Sequence, residues 1–504
     1  IALAVMLATF MEVLDTSIAA VALPYIAGNL GATRDEATWV LTSYLVSNAI
    51  VLPASAWFSS VFGRKRFLVG CIILFTGSSF LCGTSTSLGM LVAARVLQGA
   101  GGGALQPLAQ AILLEAFPPA RRGVALAVYG IGVVCAPIVG PTLGGWLTDS
   151  YSWRWSFYIN LPVGVLAVVL ISMFVTDPPY IRAARPGRID VPGFALLSLW
   201  LATLQIVLDQ GQQSDWFGAV WIRWFTGISV VSFVAFVVWE LHTPTPVVDL
   251  RILKDRNFAV GCAIFFAFGA VLYGLVTLQP LFLQTLLGYT AYDAGLTVSP
   301  RGVGAVVSFV LVGALSRRVN PRILLGIGFS LLGLSCYLFS RFSLDVAQGS
   351  IIRPNVVNGL GLGFIFVPLS TVMLGNLRNE QLGNATGIQN LVRNIGGGVG
   401  ISAVSTFLDR HAQAHHAFLV GHLSTLSPSF VDRLAQAQQV LATRTGAADA
   451  VPRAEASLYA LLLRQADYWA FVQLFYELIW VCGLCLLGAF VVRSVKSTRP
   501  IAAH

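Results

Sequence analysis

Charge is scarce in this chain. Of 504 residues only 11% are Asp, Glu, Lys or Arg, while 56% are hydrophobic; soluble domains carry about 25% charged residues. So few charges cannot build a hydrated surface, and most of the exterior must face lipid. Lysine is scarcer still, at 3 of the 31 basic residues. The net charge of +9 is spread over short basic clusters between apolar runs, which is how a polytopic membrane protein fixes its orientation rather than how a nucleic-acid binder is built. The seven cysteines (71, 82, 135, 262, 336, 482 and 485) all lie in apolar runs, and an odd number so placed excludes a disulfide framework. Cys482 and Cys485 have redox-motif spacing, but on a spanning helix they read as packing. No Gly-Lys-Ser/Thr nucleotide loop is present, so ATP does not power the chain directly. The sequence opens on an apolar run without Met, which reads as a short leader left out. That run is too long, and lacks a processing site, for a cleavable signal peptide.

A spanning helix needs roughly 20 apolar residues. Candidates fall at 2–30, 37–57, 67–86, 88–112, 123–147, 157–176, 191–210, 217–239, 258–287, 294–315, 322–340, 350–374, 384–408 and 469–492. They predict an all-α polytopic membrane protein with 14 transmembrane helices. With a cytoplasmic N-terminus, 18 basic residues fall on inside loops and five on short outside segments and their edges. Both termini are therefore expected in the cytoplasm.

The chain also repeats itself. Gly313, Leu315 and Arg322 answer Ala56, Phe58 and Lys65; Gly359, Gly361 and Gly363 answer Gly99, Gly101 and Gly103; Gly383, Ala385 and Gly387 answer Gly123, Ala125 and Ala127. A near-constant offset makes the pair at about 191–239 an insertion between two six-helix halves. The expected divisions are an N-terminal bundle, 1–176; a linker with two inserted helices, 177–257; a C-terminal bundle, 258–492, with an outer loop at 409–468; and a tail, 493–504. Two such halves around a midplane cavity make an alternating-access machine.

Three features within the spans demand chemistry. Glu12 and Asp15, in "FMEVLDTSIAAVALP", are three residues apart and share about one helix face. A carboxylate there costs roughly 2.5–3.5 kcal/mol on insertion scales, so the acids have a task. Arg95, in "RVLQGAGGGALQP", carries Gln98 one turn later. A guanidinium stays charged and needs a counter-charge, and in this half only Glu12 and Asp15 lie at membrane depth. Arg95 and Asp15 are expected to interact across the cavity. Burial favours a neutral acid and the guanidinium an ionised one, so Asp15 can take up and release a proton near neutral pH; the plainer alternative is a permanent ion pair that fixes helix packing. Glu12 is either the cation-attracting acid of the cavity or a hydrogen-bonded link to a neighbouring span. The third feature, "CAPIVGPTLGGW", has Pro137 and Pro141 to bend its helix and Gly140, Gly144 and Gly145 to let another approach. The tract Gly99 to Ala104 nominally fits a dinucleotide fingerprint, but it continues a spanning helix and reads as close packing.

The outer loop holds an amphipathic helix, with Ser427 as N-cap, Phe430, Leu434, Ala437 and Leu441 on one stripe, and Gly446 as stop. It can cap the protein or dock an external partner. His411, His415, His416 and His422 cluster there. No carboxylate-cysteine set accompanies the metal-ligand spacing of the first two, so a solvated face is the expectation and no metal is assigned.

"LDTSIAAVALP", "FGRKR", "RVLQGAGGG", "APIVGPTLGG", "WRWSFYINLPVG" and "LQPLFLQTLLGYTAYDAG" together resemble the signatures of the major facilitator superfamily. The resemblance is to its fourteen-helix drug:proton antiporters of the EmrB/QacA type, closest to the EmrB branch, and covers essentially the whole chain. It implies proton-driven multidrug efflux across the bacterial inner membrane, of lipophilic, often cationic or amphipathic compounds. The energy source is the proton motive force, without a cofactor. It also implies a periplasmic adaptor and outer-membrane channel of the EmrA/TolC type. Proton coupling then falls to Asp15, Arg95 and Glu12, the cavity to Glu12, Gln98, Gln284 and Arg393, and gating to Arg64, Pro137, Gly140, Pro141, Gly144 and Gly145. The chain departs from the family pattern at Ser60, normally an acid, at Ala56, normally glycine, and at Ala127 and Ala136, normally glycines. The first two put in doubt the charge relay that locks the inner gate. A proton-coupled exporter of a specific metabolite, organic acid or fatty acid is the alternative, since Arg301, Arg353 and Arg393 favour anions. A non-transporting sensor or a membrane-embedded enzyme is the alternative of a different class, and no nucleophile-base or metal set supports the enzyme.

Overall fold

The computed structural model describes residues 1–118, 121–177, 190–316, 318–375, 377–421, 423, 428–445 and 447–491. Among these residues there is no strand, and fourteen helices are long and apolar enough to cross a membrane. The N-terminal six are α1 (Ala2–Leu30), α2 (Arg34–Phe62), α3 (Arg64–Thr84), α4 (Leu88–Ala116), α5 (Arg122–Ser150) and α6 (Trp155–Phe174). The inserted pair is α7 (Val191–Gln210) and α8 (Val220–His242). The last six spans are α9 (Arg256–Thr285), α10 (Tyr292–Leu315), α11 (Pro321–Ser340), α12 (Gln348–Leu374), α13 (Asn379–Val420) and α15 (Ala447–Val491), with α14 (Pro428–Thr445) lying between the last two.

Packing obeys the internal repeat. In the first half α1 packs on α5, α4 on both α2 and α3, and α3 on α6; in the second, α9 packs on α13, α12 on both α10 and α11, and α11 on α15. The glycines explain why. A Cβ at Gly101 would stand 2.8 Å from the Cys71 carbonyl oxygen on α3, and Gly99 presses as closely on the Tyr44 carbonyl of α2. In the other half a Cβ at Gly361 would meet the Gly328 carbonyl of α11 at 3.1 Å, and Gly359 abuts the Arg301 carbonyl of α10. Only glycine lets backbones approach this far without hydrocarbon between them. The tract in α4 is thus a packing surface, and the helix turns at Gly103–Ala104 before resuming at Leu105.

The halves are joined by α5 against α10 and by α13 against α2 and α4, while α7 lies beside α2 and α13. Bonds between them gather toward the end that carries the basic α2–α3 and α4–α5 loops. Arg122 Nη2 donates to Asn379 Oδ1 at 3.0 Å, Thr386 Oγ1 to the Pro107 carbonyl at 3.1 Å, and Asn390 Nδ2 to Gln110 Oε1 at 2.9 Å.

The outer loop is more regular than its polarity suggested. Helix α13 runs on to Val420 and α15 already begins at Ala447, because a helix satisfies its own backbone in water as in lipid and hydropathy reports only where the lipid ends. Phe430, Leu434, Ala437 and Leu441 are half-buried, and α14 packs along α15. The expected cap Ser427, the stop Gly446, His422, the tail from 493 and most of the linker before Asp190 lie outside the described residues, as do Arg182, Arg185, Arg188 and Arg317. All seven cysteines are free.

Candidate functional site

The two acids of α1 enter different environments. Asp15 and Arg95 are both fully buried and form an ion pair, Arg95 Nη1 to Asp15 Oδ2, at 2.6 Å. Gln98 Nε2 (2.9 Å) and Asn160 Nδ2 (2.7 Å) donate to the other Asp15 oxygen. Arg95 also donates to Gln98 Oε1 and to the Val40 carbonyl. Asp15 therefore has three donors, one of them a cation. Gln98, expected along the cavity, belongs to this buried cluster.

Glu12 has no ion pair. It is 4% exposed and accepts only from neutral groups: Gln106 Nε2 at 2.6 Å, Asn48 Nδ2 at 3.1 Å and Tyr44 Oη at 3.3 Å. Two of those donors carry its influence further. The Tyr44 ring lies under the Arg95 guanidinium, 4.2 Å from ring centre to Cζ, a cation–π contact strengthened by desolvation. The Gln106 Oε1 accepts from Arg393 Nη2 on α13. A continuous chain of side chains therefore runs Asn160, Asp15, Arg95, Tyr44, Glu12, Gln106, Arg393, from α6 to the opposite half.

The other expected residues lie apart from this chain. Arg64, buried at the start of α3, is ion-paired with Glu115 near the end of α4. The neighbouring Lys65 amide donates to Asp177 at 2.7 Å, and Ser60 bonds only its own helix through the Trp57 carbonyl. Arg64 thus has a carboxylate partner in Glu115, although position 60 carries no acid. On α5, Gly140 and Gly144 meet Ser17 and Ile18 of α1, whereas Gly145 faces open space, with Pro137 and Pro141 inside the helix. Gln284 sits exposed near the end of α9, away from the chain; Gln279 is the buried amide of that helix, with neither side-chain atom bonded. Five residues rotate the side chain about 140° around a helix of 3.6 residues per turn, so choosing between the two needs the helix's rotation. His411 Nε2 lies 3.3 Å from Glu477 Oε1, and His415 bonds Gln473. Tyr44, Asn48, Gln106, Glu115 and Asn160 went unread in the sequence. Gln106, within "RVLQGAGGGALQP", and Asn160, within "WRWSFYINLPVG", stood in stretches marked for another reason.

Two pseudo-symmetric six-helix halves with buried acids and arginines at their seam define a membrane-embedded secondary transporter. The chain belongs to the Major Facilitator Superfamily, whose family model matches residues 5–401. It is 38% identical to the Multidrug export protein EmrB of Escherichia coli strain K12, over 85% of this chain and 83% of that protein. It is 37% identical to the Fatty acid resistance protein FarB of Neisseria gonorrhoeae, over 86% of this chain and 85% of the relative. Among solved structures, the human organic anion transporter MFSD10 superposes with a TM-score of 0.58 at 15% identity, covering 96% of this chain and 98% of that one; at that identity it bears on the fold alone.

Proposed function

We propose that this protein exports lipophilic, often cationic or amphipathic toxic compounds in exchange for protons, by alternating access, and that Glu12 is the acid that turns over. One observation carries the assignment of Glu12: it is buried with neutral donors only, and one of them, Gln106, also holds Arg393 of the opposite half. Protonating Asp15 would break an ion pair and strand Arg95 in hydrocarbon, whereas protonating Glu12 breaks none. It turns a charge-assisted bond to Gln106 into a neutral one, of roughly half the strength, at the point where the halves are joined. Each proton entering down 100 mV releases about 2.3 kcal/mol, enough to shift such a contact. The relative named for multidrug export supports the substrate class.

The basic-loop bias supports a bacterial inner-membrane protein with both termini cytoplasmic. The halves are then bonded at the cytoplasmic end, a conformation closed to the cell interior. The helical projection of α13, α14 and α15 then lies in the periplasm, where an adaptor leading to an outer-membrane channel would dock. Buried Arg393, with a relative named for fatty acid resistance, favours a second reading in which the cargo is a carboxylate amphiphile. Proteoliposomes test the main reading. Adding a cationic drug should dissipate a preset pH gradient, and Glu12→Gln should abolish this. Drug flux with no proton movement would refute antiport.

A further inference from the structure

The C-terminal half contains a cation with no counter-charge. Arg301 is 3% exposed, its side chain makes no hydrogen bond or ion pair among the described residues, and its Nη2 is enclosed without an acceptor. No acid lies in α10 beyond Asp293, in α11 or in α12; Asp345, in the loop between the last two, is exposed. Arg301 follows Pro300 within α10, whose backbone stays helical at Ser299.

The internal repeat identifies what is missing. At the offset that pairs Gly99 with Gly359, Arg95 and Gln98 correspond to Asn355 and Asn358, and at the offset that pairs Ala56 with Gly313, Tyr44 corresponds to Arg301. In the first half a cation on α4 lies over an aromatic ring on α2 and is neutralised from α1 by Asp15. In the second half the cation has moved to the α2-equivalent helix, amides take the place of Arg95 and Gln98, and either offset from Asp15 lands on leucine, Leu272 or Leu275. Asn355 bonds the Thr297 carbonyl one turn before Arg301, and Gly359, next in the chain to Asn358, abuts the Arg301 carbonyl, which places Asn358 at the level of Arg301. Asn358 is fully buried and neither of its side-chain polar atoms is bonded; the Asn355 Oδ1 is likewise unpartnered.

We infer that Arg301, with Asn358 beside it, forms a second binding site that takes one anionic group, either the carboxylate of an amphiphile or a small inorganic anion. The ligand supplies the charge that Asp15 supplies in the other half. The site is separate from the Glu12 chain and does not depend on the antiport reading, because binding can be measured without transport.

The test uses the full chain in nanodiscs, with the thermal midpoint followed by intrinsic fluorescence. The probes are decanoate, decyltrimethylammonium as the cationic counterpart, and sodium chloride. Decanoate should raise the wild-type midpoint saturably and the cationic analogue should not; the half-saturating concentration should rise at least tenfold in Arg301→Gln. Asn358→Asp places a carboxylate beside Arg301, so this variant should have a raised midpoint without ligand and no response to decanoate. It keeps the test open if Arg301→Gln does not fold. Saturable protection by chloride that competes with decanoate assigns the site to a small anion. The inference is overturned if neither anion protects the wild type, or if protection is equal in the wild type and both variants, as binding beside Arg393 would give.

Discussion

Replacing each α1 acid by its amide separates the two roles assigned to them. Asp15→Asn removes the charge facing Arg95 where both side chains are fully buried. Breaking a buried pair by removing one partner costs about 3–5 kcal/mol, and Gln98, the Val40 carbonyl and the Tyr44 ring return only part of it. Glu12→Gln removes no ion pair, and its amide oxygen can still accept from Gln106 or Asn48. Its cost should stay near the ~1 kcal/mol of one net hydrogen bond. In nanodiscs the thermal midpoint should fall by roughly 3–5 °C for Asp15→Asn and by little for Glu12→Gln. Adding Arg95→Gln to Asp15→Asn should recover most of the loss, since no unpaired charge remains. In proteoliposomes Glu12→Gln should still exchange drug for drug but lose at least tenfold of the accumulation driven by a pH gradient. If Glu12→Gln concentrates drug under a pH gradient as well as the wild type, proton turnover at Glu12 is refuted. If Asp15→Asn is as stable as the wild type, the fixed-pair account of Asp15 and Arg95 is refuted.

Other expectations follow from the same geometry. Gln106→Leu cuts a side chain that bonds both Glu12 and Arg393; proton-coupled flux should drop at least tenfold while the midpoint moves little, read by paired transport and melting measurements. Gly101→Val would drive a side chain into the α3 backbone, where a Cβ alone already meets the Phe75 nitrogen at 2.7 Å. Overpacking of this kind costs about 1–3 kcal/mol or more, visible as a lowered midpoint and poor recovery from the membrane. Glu115→Gln removes the charge paired with Arg64; a cysteine introduced at Thr386, on the bonded face between α13 and α4, should then label faster with a water-soluble maleimide than in the Glu115 background.

The number of spans, their approximate places and the two-half repeat were legible because lipid imposes one rule on every residue: an unpaired polar group inside it is expensive. The same rule made Glu12, Asp15 and Arg95 conspicuous, and counting the charges available to Arg95 narrowed its partner to one of the two acids. Neutral amides and hydroxyls carry no such mark. Gln106, Asn48, Tyr44 and Asn160 are ordinary in composition, and only their convergence on the two acids distinguishes them. Helix rotation was equally hidden, which is why Gln284 was read where Gln279 is the buried amide. The pairing of Arg64 with Glu115, fifty-one residues later, is a neighbourhood in space that no local motif encodes. Hydrophobicity and net charge are sums over residues, so the sequence alone determined that this is a two-half membrane transporter with ionisable groups in its spans. Hydrogen bonds are directional and short, so only the packed helices decided which acid is locked in an ion pair and which is free to carry the link between halves.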